Sequence, residues 1–583
     1  MIEFLLSRRR FFAAIALGAG LLATAPALAQ RRNAYTPPAP DSIHAVAAEH
    51  GLVVAQEKMS AQVGADILKR GGNAVDAAVA TGFAMAVAYP RAGNIGGGGF
   101  MVIHLADRGE DIAIDYRETA PNATTPTIFL GADGKPDPAR SRDSALGIGV
   151  PGTVAGFALA LEKYGSGKFM LAELLQPAIA LARDGFVVTD DFADTLPQWY
   201  RRLAHWPSAV KIFSRPDGNS LHEGDRLVQA DLAATLTAIA EQGPRSFYEG
   251  PVAEELAKAV RDAGGIMTTD DLKTYQPVVR TPVRGTYRGY DILSMPLPSS
   301  GGIVLLESLN ILEGFPLGEM KQGSAASLHL LIEAMKRAYA DRAHYLGDPA
   351  FVDAPLATLL AKDYAAKQRA NIDPDRATPA ANLASARAPH EGSNTTHFSV
   401  VDQFGNAVAN TYTLNFSYGV GLVADGTGVL LNNELDDFTA APGASNAFGL
   451  VGFEANLPGA GKRPLSSMSP TIVLKDGKVV LVTGSPGGSR IISTVLQVIV
   501  NVLDYKMDVA QAVAASRLHH QWLPDQVSVE PGFADEVLTA LREKGHHVVE
   551  SAGYSSANSI LVTPTGLLGA PDPRTRGAEA AGH

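Results

Sequence analysis

The stretch Ser393-Asn394-Thr395-Thr396-His397-Phe398-Ser399-Val400-Val401-Asp402-Gln403-Phe404-Gly405-Asn406-Ala407-Val408-Ala409-Asn410-Thr411-Tyr412-Thr413-Leu414-Asn415 places apolar residues in alternation over two runs, at Phe398 and Val400 and then at Val408 and Tyr412. A period of two predicts a pair of β-strands, and Gln403-Phe404-Gly405-Asn406 between them supplies the residues of a connecting turn. Thr395 then stands just ahead of the first strand, a hydroxyl at the mouth of a hairpin. Taken alone, a Thr-Thr-His triplet is an ordinary polar start to a strand. Residues elsewhere in the chain give it another meaning.

Those residues are Asp115-Tyr116-Arg117-Glu118-Thr119-Ala120-Pro121, Leu431-Asn432-Asn433-Glu434-Leu435-Asp436-Asp437-Phe438, Arg463-Pro464-Leu465-Ser466-Ser467-Met468-Ser469-Pro470 and Gly484-Ser485-Pro486-Gly487-Gly488-Ser489. With the Thr395 triplet they resemble the γ-glutamyltransferase (γ-glutamyltranspeptidase) family of N-terminal nucleophile hydrolases, over nearly the whole chain. Any one alone is weak, since glycine turns and Ser-Ser pairs are everywhere. Together they are specific. The resemblance implies an α+β fold, a four-layer αββα sandwich of the N-terminal nucleophile hydrolase type. It also implies a cut between Asn394 and Thr395, giving fragments 30–394 and 395–583 that form one intertwined unit.

Composition is compatible with this and narrows the alternatives. The 583 residues are 46% hydrophobic and 19% charged, which is globular rather than disordered or collagenous. The net charge is −11, and the first 29 residues hold three Arg against one Glu, so the remainder is more acidic still. An acidic body argues against nucleic acid as a partner. With no cysteine there is no disulfide, thiolate metal site or Cys nucleophile. The 14 His show no His-Glu-x-x-His spacing or other metal-like cluster, and His519-His520 reads as structural. No metal and no cofactor are expected.

Residues 1–29 read as an export signal: Ser7-Arg8-Arg9-Arg10-Phe11-Phe12, an Ala/Gly/Leu run to Leu22, and Ala27-Leu28-Ala29 as a small-x-small cleavage site before Gln30. Paired arginines followed by Phe suggest the twin-arginine route, hence a periplasmic or secreted protein without stable membrane insertion. The apolar run is short, Ala- and Gly-rich and interrupted by Pro26, unlike a span of ~20 strongly apolar residues. Met59 to Tyr89 reads as two helices broken at Gly71-Gly72, with Asn73 able to cap the second. Gly93-Asn94-Ile95-Gly96-Gly97-Gly98-Gly99 lacks the features of a phosphate loop and reads as a buried tight turn. Strands follow at Phe100 to Leu105 and Ile112 to Tyr116, delivering Arg117 at a strand end. Residues 145–345 are mostly helical by pattern, and Pro298-Ser299-Ser300-Gly301-Gly302 reads as a loop and helix cap without chemistry. Asn371 to Ser393 reads as a mobile tether. A second hairpin spans Thr471 to Thr483, and Ser489 to Leu503 is a helix, which puts Gly487-Gly488 at its N-terminus. Arg574 and the final residues are given no role.

A threonine hydroxyl is a weak nucleophile near neutral pH, and no His-Asp pairing near Thr395 suggests a conventional triad. An N-terminal amine can act as the base. Cutting the Asn394-Thr395 bond frees an α-amine with a pKa of about 7.7–8, near the working pH. The cut resembles an N-to-O acyl shift, in which Thr395 Oγ1 attacks the carbonyl of Asn394 and the ester is hydrolysed. The Gly487 and Gly488 amides, at a helix start, offer donors for the oxyanion of acyl transfer. By the resemblance, Thr413 orients the nucleophile and Arg117 binds the donor α-carboxylate, with Ser466 and Ser467 as further ligands. Asn415, Glu434 and Asp437 can take the α-ammonium, Asp436 being the lesser member of its pair. Residues 441–452 correspond to a lid. Two positions depart from familiar bacterial members: Glu434 where some carry Gln, and Phe448 where others carry a Tyr gate, so a hydrogen bond through that ring is lost.

The expected activity is that of a γ-glutamyltransferase and glutathione hydrolase, passing a γ-glutamyl group from glutathione or a similar donor, through a threonine ester, to water, an amino acid or a peptide. The two alternatives are a related glutaryl or cephalosporin-type acylase and a catalytically silent binding protein of the same fold.

Overall fold

The computed structural model describes residues 35–39, 42–383, 395–553 and 555–583. The export signal, the twin-arginine motif and Asn394 lie outside the described residues.

The hairpin forms as its alternation predicts. Strands Thr396–Val401 and Ala407–Thr413 pair antiparallel, with Val400 opposite Val408. Asp402 shapes the turn, its Oδ1 accepting from the amides of Phe404 and Asn406 while Oδ2 accepts from Ala74 N, 328 positions away. This side chain therefore ties the turn to the start of helix Ala74–Ala88, which Asn73 caps as expected.

The hairpin sits mid-sheet. Its seven strands run, edge to edge, Glu579–Gly582, Leu52–Ala55, Thr396–Val401, Ala407–Thr413, Gly98–Leu105, Glu110–Asp115 and Val278–Arg280. A second seven-stranded sheet runs Val46–Ala48, Gly566–Ala570, Ser559–Thr563, Lys478–Thr483, Thr471–Lys475, Tyr290–Ser294 and Val283–Tyr287. Strand alternation divides the apolar residues between two cores. Val53, Met101, Ile103, Phe398, Val400, Val408 and Tyr412 pack with helices Lys58–Lys69 and Ala74–Ala88. Leu52, Val54, Phe100, Val102 and Ala409 turn the other way, into the core shared by Ile472, Leu481 and helices Gly301–Leu312, Ala325–Tyr345 and Arg490–Leu503. The layers are helix, sheet, sheet, helix. That is the αββα sandwich the sequence implied.

Two expectations fail. Residues 371–383, the described part of the supposed tether, are packed: Ile372 and Ala380 are buried, Thr378 N donates to Glu333 Oε1 at 3.0 Å, and Ala377 N to Lys544 O at 2.7 Å. Pro and Asp in that segment disguise backbone bonds made to distant partners. The chain end is also structural. Glu579–Gly582 completes the edge of the first sheet against Leu52–Ala55, and Arg574 is held by Glu530 (2.6 Å) and Asp572 (3.1 Å).

Candidate active site

Thr395 leads into strand Thr396–Val401 and is buried, with its Oγ1 donating to Thr413 Oγ1 at 3.3 Å. Thr413 Oγ1 also accepts from Asn415 N at 2.8 Å, so its position is fixed by the residue at which the chain turns out of the strand. Asn415 has φ +74 and donates through Nδ2 to Asn433 O at 2.9 Å. Beneath them the glycine turn closes in: a Cβ on Gly97 would lie 2.2 Å from Thr413 O, so only glycine fits there. This is the packing reason for the run at 96–99.

His397, two residues on, is no base for Thr395. Burial pushes its ring down to about 3, and its nitrogens engage Thr411 Oγ1 (2.8 Å) and Ser399 Oγ (3.0 Å). Its role is to join the two sheets, where Asn558 Nδ2 donates to its carbonyl at 3.0 Å. His519 and His520 are buried and bonded to Ser493 and Asp525, as a structural reading requires.

A cavity of about 20 Å³ brings together Arg117, Thr395, Thr413, Asn415, Glu434, Asp437, Phe448, Ser466, Ser467 and Gly488. Cavities of about 60 and 390 Å³ near Lys58, Met59 and Asp190 contain none of these residues. The sequence places Arg117 and the acids on separate ligand charges, but here they are in direct contact. Arg117 Nη1 donates to Glu434 Oε1, Nη2 to Asp437 Oδ2 at 2.5 Å, and Nε to Pro464 O at 3.1 Å. Burial alone would lower this guanidinium, but Glu434 and Asp437 outweigh it and hold it above its ordinary value. A cavity of this size does not admit a ligand of amino-acid size as it stands.

Three carboxyls surround Arg117, Glu118 being the third at 3.9 Å. Glu118 is buried with neither oxygen bonded, and burial pushes it up to about 8. Burial also raises Glu434 well above the carboxylate range against the pull of Arg117, and its Oε2 lacks a partner. Arg117, with Arg463 acting on Glu118 and Arg342 on Asp437, does not offset the burial of all three, and Glu118 and Glu434 are the members pushed toward the protonated form. Asp436 faces away, accepting from Ser141 Oγ at 2.5 Å.

Gly487 and Gly488, with φ +134 and +56, precede helix Arg490–Leu503. Neither amide has an acceptor among the described residues. Gly488 lies against the loop at 441–452: Phe448 packs so closely that a Cβ on Gly488 would meet its ring at 2.4 Å. Phe448 also stacks on Phe416, ring centres 5.4 Å apart, so apolar contact holds this loop against the site. Asn446 adds a polar latch, Nδ2 to Asp437 Oδ1 at 3.3 Å.

Sequence reasoning missed Asn446, and it missed the serines of the loop at 298–302. Ser300 Oγ and N both donate to Ser466 O, at 2.6 and 2.8 Å, and Ser299 Oγ donates to Met468 O at 2.6 Å. Pro298-Ser299-Ser300-Gly301-Gly302 also resembles a family motif, the one signal in the sequence that could have found them. In space, His329, Glu333 and His546 bring possible metal-binding atoms within 4.8 Å, a grouping that no sequence spacing reveals. Glu333 is already engaged by Lys336 and Arg337, and His329 Nδ1 lies 2.8 Å from His546 Nε2, so hydrogen bonds account for it.

Residues 60–582 match the family model described as gamma-glutamyltranspeptidase. The glutathione hydrolase proenzyme of Escherichia coli K12 is 50% identical, over 94% of this chain and 96% of its own. The acylase ACY 1 proenzyme of Pseudomonas sp. SE83 is 38% identical, over 89% and 91%. Among solved structures, a cephalosporin acylase from Bacillus halodurans superposes with a TM-score of 0.81 at 28% identity, covering 94% of this chain and 98% of that one.

Proposed function

The chain belongs to the gamma-glutamyltranspeptidase family, and from that premise we propose that it is an exported, self-cleaving γ-glutamyltransferase and glutathione hydrolase. The observation that carries this reading is the convergence on one cavity of a hydroxyl at a strand start, an arginine with two carboxylates, a serine pair and a glycine-rich helix start.

In the proposed course, Thr395 Oγ1 adds to the carbonyl of Asn394, the amide becomes an ester, and water releases fragment 30–394 with a free amine on Thr395. That amine then takes the proton from Oγ1 as the oxygen attacks the γ-carbonyl of a donor such as glutathione. Gly487 and Gly488 donate to the oxyanion. The amine returns the proton to the leaving nitrogen, and a threonine ester remains. Water or the amine of an amino acid or peptide resolves it. Thr413 keeps Oγ1 in place. At the donor's far end, the α-carboxylate takes Arg117, Ser466 and Ser467, while the α-ammonium takes Asn415, Glu434 and Asp437. Donor binding thus replaces each half of the existing Arg117 pairs with an opposite charge.

The acylase relative supports a second reading in which a glutaryl group takes the same place. It needs Arg117 but leaves Glu434 and Asp437 without a cation. Export by the twin-arginine route rests on Arg8 and Arg9. Among the described residues, no helix is long and apolar enough to cross a membrane.

The test is release of a γ-glutamyl group with and without a dipeptide acceptor, on protein expected to run as two fragments. Thr395→Ala should stay one inactive chain. Full activity from an uncleaved chain would sink the mechanism, and a preference for glutaryl over γ-glutamyl donors would favour the acylase.

A further inference from the structure

Arg342 lies in the last turn of helix Ala325–Tyr345, buried behind the serine pair. Among the described residues it forms no ion pair. Its donors go to two hydroxyls instead, Nε to Ser300 Oγ at 2.8 Å and Nη2 to Ser467 Oγ at 3.3 Å. Burial brings it down to about 10, which leaves it charged at neutral pH. The Asp437 carboxylate acts on it from beyond ion-pair distance but is itself bonded to Arg117, so a buried guanidinium hydrogen-bonded to neutral hydroxyls is left for a further anion to complement.

Hydroxyl chemistry indicates where that anion sits. Ser467 Oγ receives a hydrogen from Arg342, so its own hydrogen must point elsewhere, and Ser467 borders the cavity that holds Thr395. Ser300 joins the two halves of the arrangement, because it accepts from Arg342 while donating to Ser466 O. One side chain on the large fragment thereby sets both serines.

We propose that Arg342 is a positioning residue of the donor carboxylate subsite: it turns the Ser467 hydroxyl toward the cavity and places a second positive charge behind the carboxylate that Arg117 binds. This rests on the γ-glutamyl reading of the site and identifies what enforces the α-carboxylate requirement. When the donor displaces Glu434 and Asp437 from Arg117, two cations then face one carboxylate.

The experiment compares two donors on the matured enzyme, a γ-glutamyl anilide and the same anilide with its α-carboxylate capped as a carboxamide. Arg342→Met should raise KM for the first about tenfold or more with kcat little changed, and should alter kcat/KM for the second less than about twofold. Arg342→Lys keeps the charge but reaches fewer hydroxyls, so it should lose part of the discrimination. In a Ser467→Ala background the effect of Arg342→Met should shrink, because the path through that hydroxyl is gone. Equal losses on both donors, or no loss, would overturn the proposal by reducing Arg342 to a packing role. If Arg342→Met fails to mature, Arg342→Lys is decisive: a several-fold fall in discrimination supports the proposal and an unchanged ratio rejects it. Failure of the wild type to release the γ-glutamyl group would instead overturn the underlying reading.

Discussion

Arg117 donates to Glu434 and Asp437 at once, so each acid is a ligand of the cation before it can be a ligand of a substrate ammonium. Asp437→Asn removes the acid's charge and keeps its shape. It should damage γ-glutamyl donors far more than glutaryl donors, which carry no ammonium. A hydrogen bond to a charged group contributes about 1.5–3 kcal/mol, so the loss should reach roughly tenfold or more in kcat/KM. An unchanged ratio of the two donors would remove Asp437 from ammonium recognition. Glu118 supports a stability prediction. Its folded value of about 8 lies above the ordinary 4.5, so its contribution to stability is full below about 4.5 and is lost as pH rises through about 8. Glu118→Gln, which does not titrate, should therefore gain stability relative to wild type between pH 5 and pH 8. Denaturant midpoints at both pH values would check it, and a difference independent of pH would mean that Glu118 is ionised in the fold. The motifs made Arg117, Glu434 and Asp437 legible as candidates, and the fold brings them to one cavity, but their mutual pairing was not legible. Contact between positions 117 and 434 is a product of the sheet, and no local pattern carries it.

At the scale of elements, the hairpin and the helix start were readable because their signals are local: alternation for the strands, Gly-Gly before an apolar run for the helix. The loop at 441–452 was readable only in part. Phe448 forgoes a hydrogen bond through its ring, yet that ring lies between Phe416 and Gly488, and Asn446 reaches Asp437. Gly488 has two reasons to be glycine, a φ of +56 and the lid ring against its Cα. Gly488→Ala should therefore lower kcat, about 10²-fold if the oxyanion donor is displaced, and should also displace the lid. Steady-state kinetics together with a structure of the variant would check both, and wild-type kcat would end the assignment of this amide to the oxyanion. The packed segment at 371–383 escaped sequence reading for a different reason. Its bonds run from backbone amides to Glu333, Lys544 and Asp525, and composition cannot show where an amide donates.

Across the whole molecule, the proposed cut before Thr395 falls within a fold whose two sheets both draw on both sides of it. In the first sheet, Thr396–Val401 and Ala407–Thr413 lie between Leu52–Ala55 and Gly98–Leu105, and Glu579–Gly582 closes the edge beyond Leu52–Ala55. In the second, the strands from 471 to 570 have Val46–Ala48 at one side and Tyr290–Ser294 at the other. Separating the fragments would break ladders on both faces of the central hairpin and expose both cores, which is the same work as unfolding. The cut should consequently leave stability governed by one cooperative unit. Purified enzyme, run as two bands under denaturing conditions, should elute as one species in 1 M salt, because the contacts are ladders and apolar packing rather than surface ion pairs that salt screens. In denaturant, loss of secondary structure and separation of the fragments should share a midpoint. Fragments that part while the secondary structure persists would show that the halves are independently folded, and interleaving of the strands would then not be what holds Thr395 against the residues of fragment 30–394.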